Sequence, residues 1–337
     1  MKKPRITALD VAKAADVSAA TISLVMNDKA HGRVPIETQR RVREAATELG
    51  YTIDRRARSL ATGRSGLVGF VVPDVVNPFF GLVHMALLRE LGSRHQVLTV
   101  ATDIGEHAAR HNIAQLMAFG VDAFVAISID SAYLAPLHAN VPMVLVDTDH
   151  PAPGATIVNY EVEKGARDLA SHLRQLGHRK MVYIDGLTPS RTFAARRIAF
   201  LDAISGGRET PIVTRTAVDM DEASSAVIAE IELWRARGAT ALVCATDVQA
   251  YGALAGLRQK GISVPGEISV AGFDDLPFSR IVTPELTSVH VPTEKLAKIA
   301  ATQLRAVLSG GTSAAAGLAI DVELRTRQST GLAPKKH

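Results

Sequence analysis

The sequence predicts a small all-α helix-turn-helix head followed by an α/β body. Three observations carry this reading. Residues 1–50 hold three short amphipathic helical patterns, and short apolar runs then recur between helical patterns from residue 66 nearly to the end. The positive charge is concentrated at the front: residues 1–64 carry a local +6 and residues 65–337 a local −2, within a formal net charge of +4. A basic head on a near-neutral body points to a polyanionic partner for the head.

The 337 residues exceed one small domain, and 47% hydrophobic with 21% charged composition excludes global disorder. Aromatics are only 4%, so Ala, Val, Leu and Ile must fill the interior. The single cysteine, Cys244, excludes an intramolecular disulfide framework and a Cys-rich zinc module. No run approaches the ~18 apolar residues of a membrane span. The opening Met1, Lys2, Lys3, Pro4, Arg5 is basic, but no apolar segment follows, so no secretory signal is read and a cytoplasmic location is expected.

In the head, Thr7 and Asp10 stand three apart in the form of a capping box, starting a helix over 8–15. Asp16 and Val17 form a turn, and Ser18 caps a second helix whose Ile22, Val25 and Met26 make one apolar stripe. A loop through Gly32 follows. The third helix starts near Ile36, turns Val42, Ala45, Ala46 and Leu49 inward, and stops at Gly50. Two short helices joined by a tight turn can place the second in the DNA major groove. Taken alone, the same pattern is equally that of three structural helices.

The order of residues goes further. Asp10 through Ser23 (DVAKAADVSAATIS), then Asn27, Thr38, Arg41, Val42, Leu49, Gly50 and Tyr51, closely resemble the opening signature of the lactose-repressor/galactose-repressor (LacI/GalR) family of bacterial transcriptional regulators. The resemblance implies that Ala19, Ala20 and Leu24 occupy base-reading positions. Their small or apolar side chains reach a thymine methyl but make no bidentate hydrogen bonds to a purine. By the same resemblance Thr7, Ser18, Thr21, Ser23, Asn27, Arg33 and Tyr51 belong to the DNA-binding set. Pro35 stands where relatives put a serine cap, which a helix tolerates in its first turn.

Residues 51–65 read alone as a linker, because eight residues from Asp54 to Ala61 are too few for an isolated helix. The resemblance implies a hinge helix that folds on operator DNA. In it Arg55 and Arg58 lie near phosphates and Leu60 wedges into a minor-groove base step.

From residue 66, buried-type strands are expected at 67–72, 97–101, 123–127, 143–146, 181–184, 241–245 and 268–272. Between them Val83, Leu87, Leu88 and Leu91 mark one amphipathic helix, and Ile113, Leu116 and Met117 another. Alternation of strand and helix predicts parallel sheets, whose ligands sit beyond the strands' carboxyl ends. Val72-Pro73-Asp74, Asn77-Pro78-Phe79-Phe80, Leu176-Gly177-His178-Arg179, Gly272-Phe273-Asp274-Asp275, Thr283-Pro284-Glu285-Leu286-Thr287 and Arg327-Gln328-Ser329-Thr330 again resemble the family. The resemblance implies two Rossmann-like lobes of periplasmic-binding-protein type, joined by crossovers near 159, 289 and 320. The expected divisions are a head over 1–50, a hinge over 51–65 and a body over 66–332. Within the body one lobe takes about 66–158 and 289–319, the other about 159–288 and 320–332.

The effector is then expected in the cleft between lobes. Asp74 precedes the first body helix, which Phe79 and Phe80 open; an aromatic there can stack on a sugar or base, or simply fill the core. Asp147 and Asp274 follow strands, and Arg196 begins a helix. Two carboxylates and a guanidinium suit polyol hydroxyls; a plain salt bridge between the lobes is the bland alternative. Thr192, Thr246 and Asp247 add candidate contacts. Thr246 and Ala199 depart from the Asn and Gly common in relatives, and the segment Asn159-Tyr160-Glu161 departs from the usual Asp-containing form.

Sharper chemistry is not supported. His107 and His111 have metal-pair spacing but no third ligand, and Cys244 lies in an apolar run. No phosphate loop, nucleophile elbow or dinucleotide fingerprint is present, so neither an enzyme nor a cofactor is expected. A solute-binding protein and a small-substrate α/β enzyme leave the head unexplained. The expected function is a repressor of a sugar-utilisation operon, a homodimer on pseudo-palindromic double-stranded operator DNA; a purine or nucleoside corepressor is the alternative. No heptad seam follows Thr330, so a dimer is expected over a tail-mediated tetramer.

Overall fold

The computed structural model describes residues 6–27, 29–51, 63–93, 95–103, 105–129, 133, 141–148, 154–188, 190–205, 212–309 and 317–335. The chain divides into two compact units, Met1–Ser65 and Gly66–His337.

The head is built from α1 (Ala8–Ala14), α2 (Ala19–Met26) and α3 (Ile36–Glu48). Each start has a local cause. Thr7 N donates to Asp10 Oδ2 at 2.8 Å and Asp10 N donates to Thr7 Oγ1 at 3.4 Å, which is the expected capping box. Ser18 Oγ accepts from Thr21 N at 3.1 Å. Pro35 supplies a suitable φ of −54° in place of a side-chain cap. Gly50, at φ +66°, takes the left-handed turn that ends α3. Val11, Ile22, Val25, Val42, Ala45 and Ala46 close a separate small core. Leu49 is a correction: it is 36% exposed, because it is the C-cap one residue past the end of α3 and not part of the buried core, although it lies on the same face as Val42.

Among the described residues the body holds two six-stranded sheets. Its elements in order are β1 (Leu67–Val72), α4 (Pro78–Leu91), β2 (Gln96–Ala101), α5 (Glu106–Ala118), β3 (Ala123–Ile127), β4 (Met143–Val146), β5 (Ala155–Tyr160), α6 (Val162–Gln175), β6 (Met181–Gly186) and α7 (Arg191–Ser205). There follow β7 (Ile212–Thr216), α8 (Met220–Ala236), β8 (Ala241–Cys244), α9 (Asp247–Gln259), β9 (Ser269–Asp274), β10 (Thr287–His290), α10 (Thr293–Leu308), β11 (Leu318–Ile320) and β12 (Glu323–Arg325). One sheet has the order β11-β5-β4-β3-β1-β2, the other β12-β10-β9-β8-β6-β7. The pairs are parallel except β10 with β12. The chain passes between sheets three times: from β5 to β6, from β10 to β11, and from β11 to β12.

All seven expected strands are present, three with the expected ends and four with an end shifted by one or two residues. They are legible because both faces are covered by helices, so every residue of β3, β4, β6, β8 and β9 is buried. Five strands escape the pattern. β5 is buried only at alternate residues, β7 is an edge strand exposed at Val213, and β10, β11 and β12 have three or four residues each. Among the described residues no helix is long and apolar enough to cross a membrane.

Candidate effector site and DNA-reading head

In the head, α2 turns Ala19, Ala20 and Ser23 outward and keeps Thr21 and Leu24 half-buried. Ser18 and Thr21 share a hydroxyl contact of 2.9 Å at the helix start, on the side that a groove-bound helix presents first. Arg33 is exposed in the loop before α3. Thr7 and Asn27 do structural work: Thr7 serves the capping box, and Asn27 Nδ2 donates to Ser23 O at 2.7 Å to close α2. Tyr51 leans on the head's core. Arg55, Arg58 and Leu60 lie outside the described residues.

In the body, charged groups gather at the carboxyl ends of strands from both sheets. Asp147 directly follows β4 and Asp274 closes β9; both have left-handed backbones, at φ +54° and +108°. Such angles are uncommon outside glycine and concentrate at functional sites. Arg196 reaches between them from α7. That helix starts at Arg191, so Arg196 lies in its second turn rather than at its beginning.

Arg196 is buried at 4% exposure. Its Nη2 donates to Asp274 Oδ1 at 3.0 Å, its Nη1 donates to the Ala245 carbonyl at 2.7 Å, and its guanidinium lies 4.8 Å from the Phe273 ring centroid. The salt bridge therefore lies within the second sheet's lobe, not between lobes. Asp147 belongs to the other lobe and feels Arg196 across the junction. Burial raises the Asp147 carboxyl, and Arg196 only partly offsets this. Burial likewise pushes Asp274 up to about 6 against the pull of Arg196, with Asp147 adding repulsion.

Two buried polar atoms here make no hydrogen bond: Arg196 Nε and Tyr160 OH. The Thr192 side chain is hydrogen-bonded to Asp147, which eases its charge. Buried polar groups are almost always paired in folded proteins, so two open ones beside three charged groups make this the candidate site.

Other expected contacts have different work. Asp247 is fully buried: Oδ2 accepts from Leu276 N at 2.8 Å and Ser279 Oγ at 2.6 Å, and Oδ1 accepts from Ser288 Oγ at 2.6 Å. A Cβ at Gly272 would come within 2.4 Å of that Oδ1, so the glycine leaves the carboxylate room. This carboxylate pins the segment after Asp274 instead of facing a ligand. Thr246 accepts from Gln249 N at 3.3 Å as the cap of α9. Asp74 accepts from Val76 N at 2.8 Å and Asn77 N at 3.2 Å, holding the loop before α4. Phe79 is a core aromatic, edge-on to Phe80 and Tyr160 with centroids 5.4 and 6.4 Å away; Phe80 is half-buried beside it. His107 and His111 are exposed on α5, and no metal-holding cluster occurs among the described residues. Cys244 is buried, which pushes its thiol up and leaves it unreactive.

Asp247 gives the body a pH dependence of definite sign. Burial, then repulsion from Asp274, raises it to about 8 against an ordinary 3.8. A folded value above the unfolded one means that the folded state keeps the proton longer, so this stabilisation fades as pH rises through 8. Half-buried His84 and His172 and buried His178, all lowered from 6.5 by desolvation, act in the opposite sense and only below that pH. Between pH 6.5 and 8.5 the body is therefore expected to lose about 1–2 kcal/mol, at roughly 1.4 kcal/mol per pH unit for one proton. Urea unfolding at both pH values checks this, and Asp247→Asn should flatten the slope.

Two family models match the chain: the bacterial regulatory proteins of the lacI family over residues 7–54, and the periplasmic binding protein-like domain over residues 170–330. The HTH-type transcriptional regulator GalS of Salmonella typhimurium is 33% identical over 315 residues, covering 91% of each chain. The lac repressor dimer bound to operator and the anti-inducer ONPF shares the fold, with a TM-score of 0.78 over 97% of this chain and 100% of that one at 24% identity. The transcriptional regulator CelR in complex with cellobiose superposes with a TM-score of 0.70 over 96% of this chain and 100% of that one, at 26% identity. The identity to GalS runs through head and body alike over 91% of both chains, and on that ground the protein belongs to the lacI family of bacterial regulatory proteins, as a ligand-binding transcriptional regulator.

Proposed function

We propose that the protein is a cytoplasmic, non-enzymatic repressor whose homodimer holds a pseudo-palindromic operator and changes its grip when a sugar fills the junction between the body's lobes. The observation that carries the sugar reading is Arg196 set between Asp147 and Asp274 with polar atoms left open around it. Carboxylates accept from hydroxyls and a guanidinium donates to them, so adjacent hydroxyls of one ring can be served together. The CelR complex with cellobiose supports the same class.

Thermal unfolding with galactose, lactose, cellobiose and ribose tests this, with purine bases as the contrasting class. A ligand at a hundred times its Kd should add about 2.7 kcal/mol of stability. A melting shift from a purine base and from none of the sugars would reverse the assignment.

A further inference from the structure

We propose that Tyr160 is a specificity-determining contact of the effector site, its phenolic hydroxyl hydrogen-bonding a hydroxyl of the bound effector from the strand on which the chain crosses between lobes. The inference rests on the ligand-binding reading of the junction, and adds to it a residue and a position.

Tyr160 is the last residue of β5 and 2% exposed. Its backbone is fixed on two sides. It pairs with Ile320 of β11, and its N–H donates to Asp147 Oδ1 at 3.4 Å. Its ring stands at 70° to Phe79, which holds the side chain against α4. The hydroxyl at the far end has no partner, yet Asp147, Asp274 and Arg196 all act on it electrostatically, as does Glu294 at the start of α10. The phenol thus faces the charged cluster of both lobes. Tyr183 also buries an unpartnered hydroxyl, but on β6 beside Phe200, inside one lobe.

An aromatic at this place fills the core whether or not it carries oxygen. The oxygen itself brings a desolvation cost that nothing in the protein offsets. A ligand hydroxyl would offset it, and would then be tied to the strand that leads directly into the first passage from one sheet to the other. The hydroxyl also discriminates: a ligand lacking the matching group leaves the phenol unpaired in a dry site, which rejects deoxy analogues more strongly than an apolar wall does.

Tyr160→Phe removes the oxygen and keeps the ring. The unliganded full-length variant should melt a few degrees higher than the parent, since an unpaired buried hydroxyl is gone. The sugar giving the largest thermal shift with the parent should bind the variant about tenfold or more weakly by calorimetry. Among the monodeoxy forms of that sugar, one should bind parent and variant with equal affinity, an outcome that a merely structural tyrosine would not give. A lower or unchanged melting temperature in the variant would show the hydroxyl already satisfied by the fold and overturn the proposal. Equal sugar affinity in parent and variant would overturn it too. Should no sugar shift the parent, the sugar reading fails by itself, while the melting comparison still decides whether the hydroxyl is spare.

Discussion

Replacing Arg196 with alanine is expected to abolish the effector response and to destabilise the body by about 3–5 kcal/mol, the usual cost of removing one partner of a buried ion pair. Asp274 would lose its hydrogen bond and its counter-charge, and Asp147 its attraction across the junction. Asp274, already raised to about 6, then takes up a proton well above that pH, which limits the loss. Operator binding should survive, because the head closes its own core as a separate compact unit. Urea unfolding measures the first effect and anisotropy on operator DNA, with and without sugar, the second. Arg196→Lys is the control. It keeps the charge but cannot bridge Asp274 and the Ala245 carbonyl in one plane, so it should fold better and still respond weakly. If both variants keep the full response, the guanidinium has no part in sensing.

Deletion of residues 1–65 carries the largest expected effect on DNA. The remaining body should stay folded and bind sugar with the parent's affinity, and its affinity for duplex DNA should fall below detection. The charge argument sets the direction: residues 1–64 carry +6, and what remains carries −2, so the truncated chain loses the counterion-releasing part of the interaction. The two-unit division and the separate head core predict that the cut crosses little structure. Sedimentation and calorimetry on the truncated chain check both halves of this expectation. An aggregated product, or a body that still binds duplex, would contradict it.

The sequence was most informative where structure is local. Thr7 with Asp10, Ser18 with Thr21, and Gly50 each act within one helical turn, so their roles could be read from spacing alone. The buried parallel strands were equally plain, since two covered faces leave an unbroken apolar run. The charged members of the candidate site were legible, because Asp147, Arg196 and Asp274 follow or face strand ends in an α/β order. What could not be read was how each polar side chain is used. Asp247 and Thr246 stand as close to a strand end as Asp274 does, yet serine hydroxyls and backbone amides brought in from other elements consume them. Tyr160 has the reverse history: β5 pairs with a three-residue strand more than 150 residues away, and that pairing, with the hydrogen bond to Asp147, fixes its place. The single signal for it was the departure of Asn159-Tyr160-Glu161 from the form its relatives share.

On the proposed function, coupling between sugar and operator makes the two units one regulator, and it is measurable directly. A pseudo-palindrome would be enriched by the full-length protein from a random duplex library at fixed salt, and its affinity measured by anisotropy with and without the sugar that shifts melting. The expected result is one enriched palindrome whose affinity changes by about 5–150-fold, the usual range for linked sites. Equal affinity with and without saturating sugar, or a library that yields no palindrome, would contradict it.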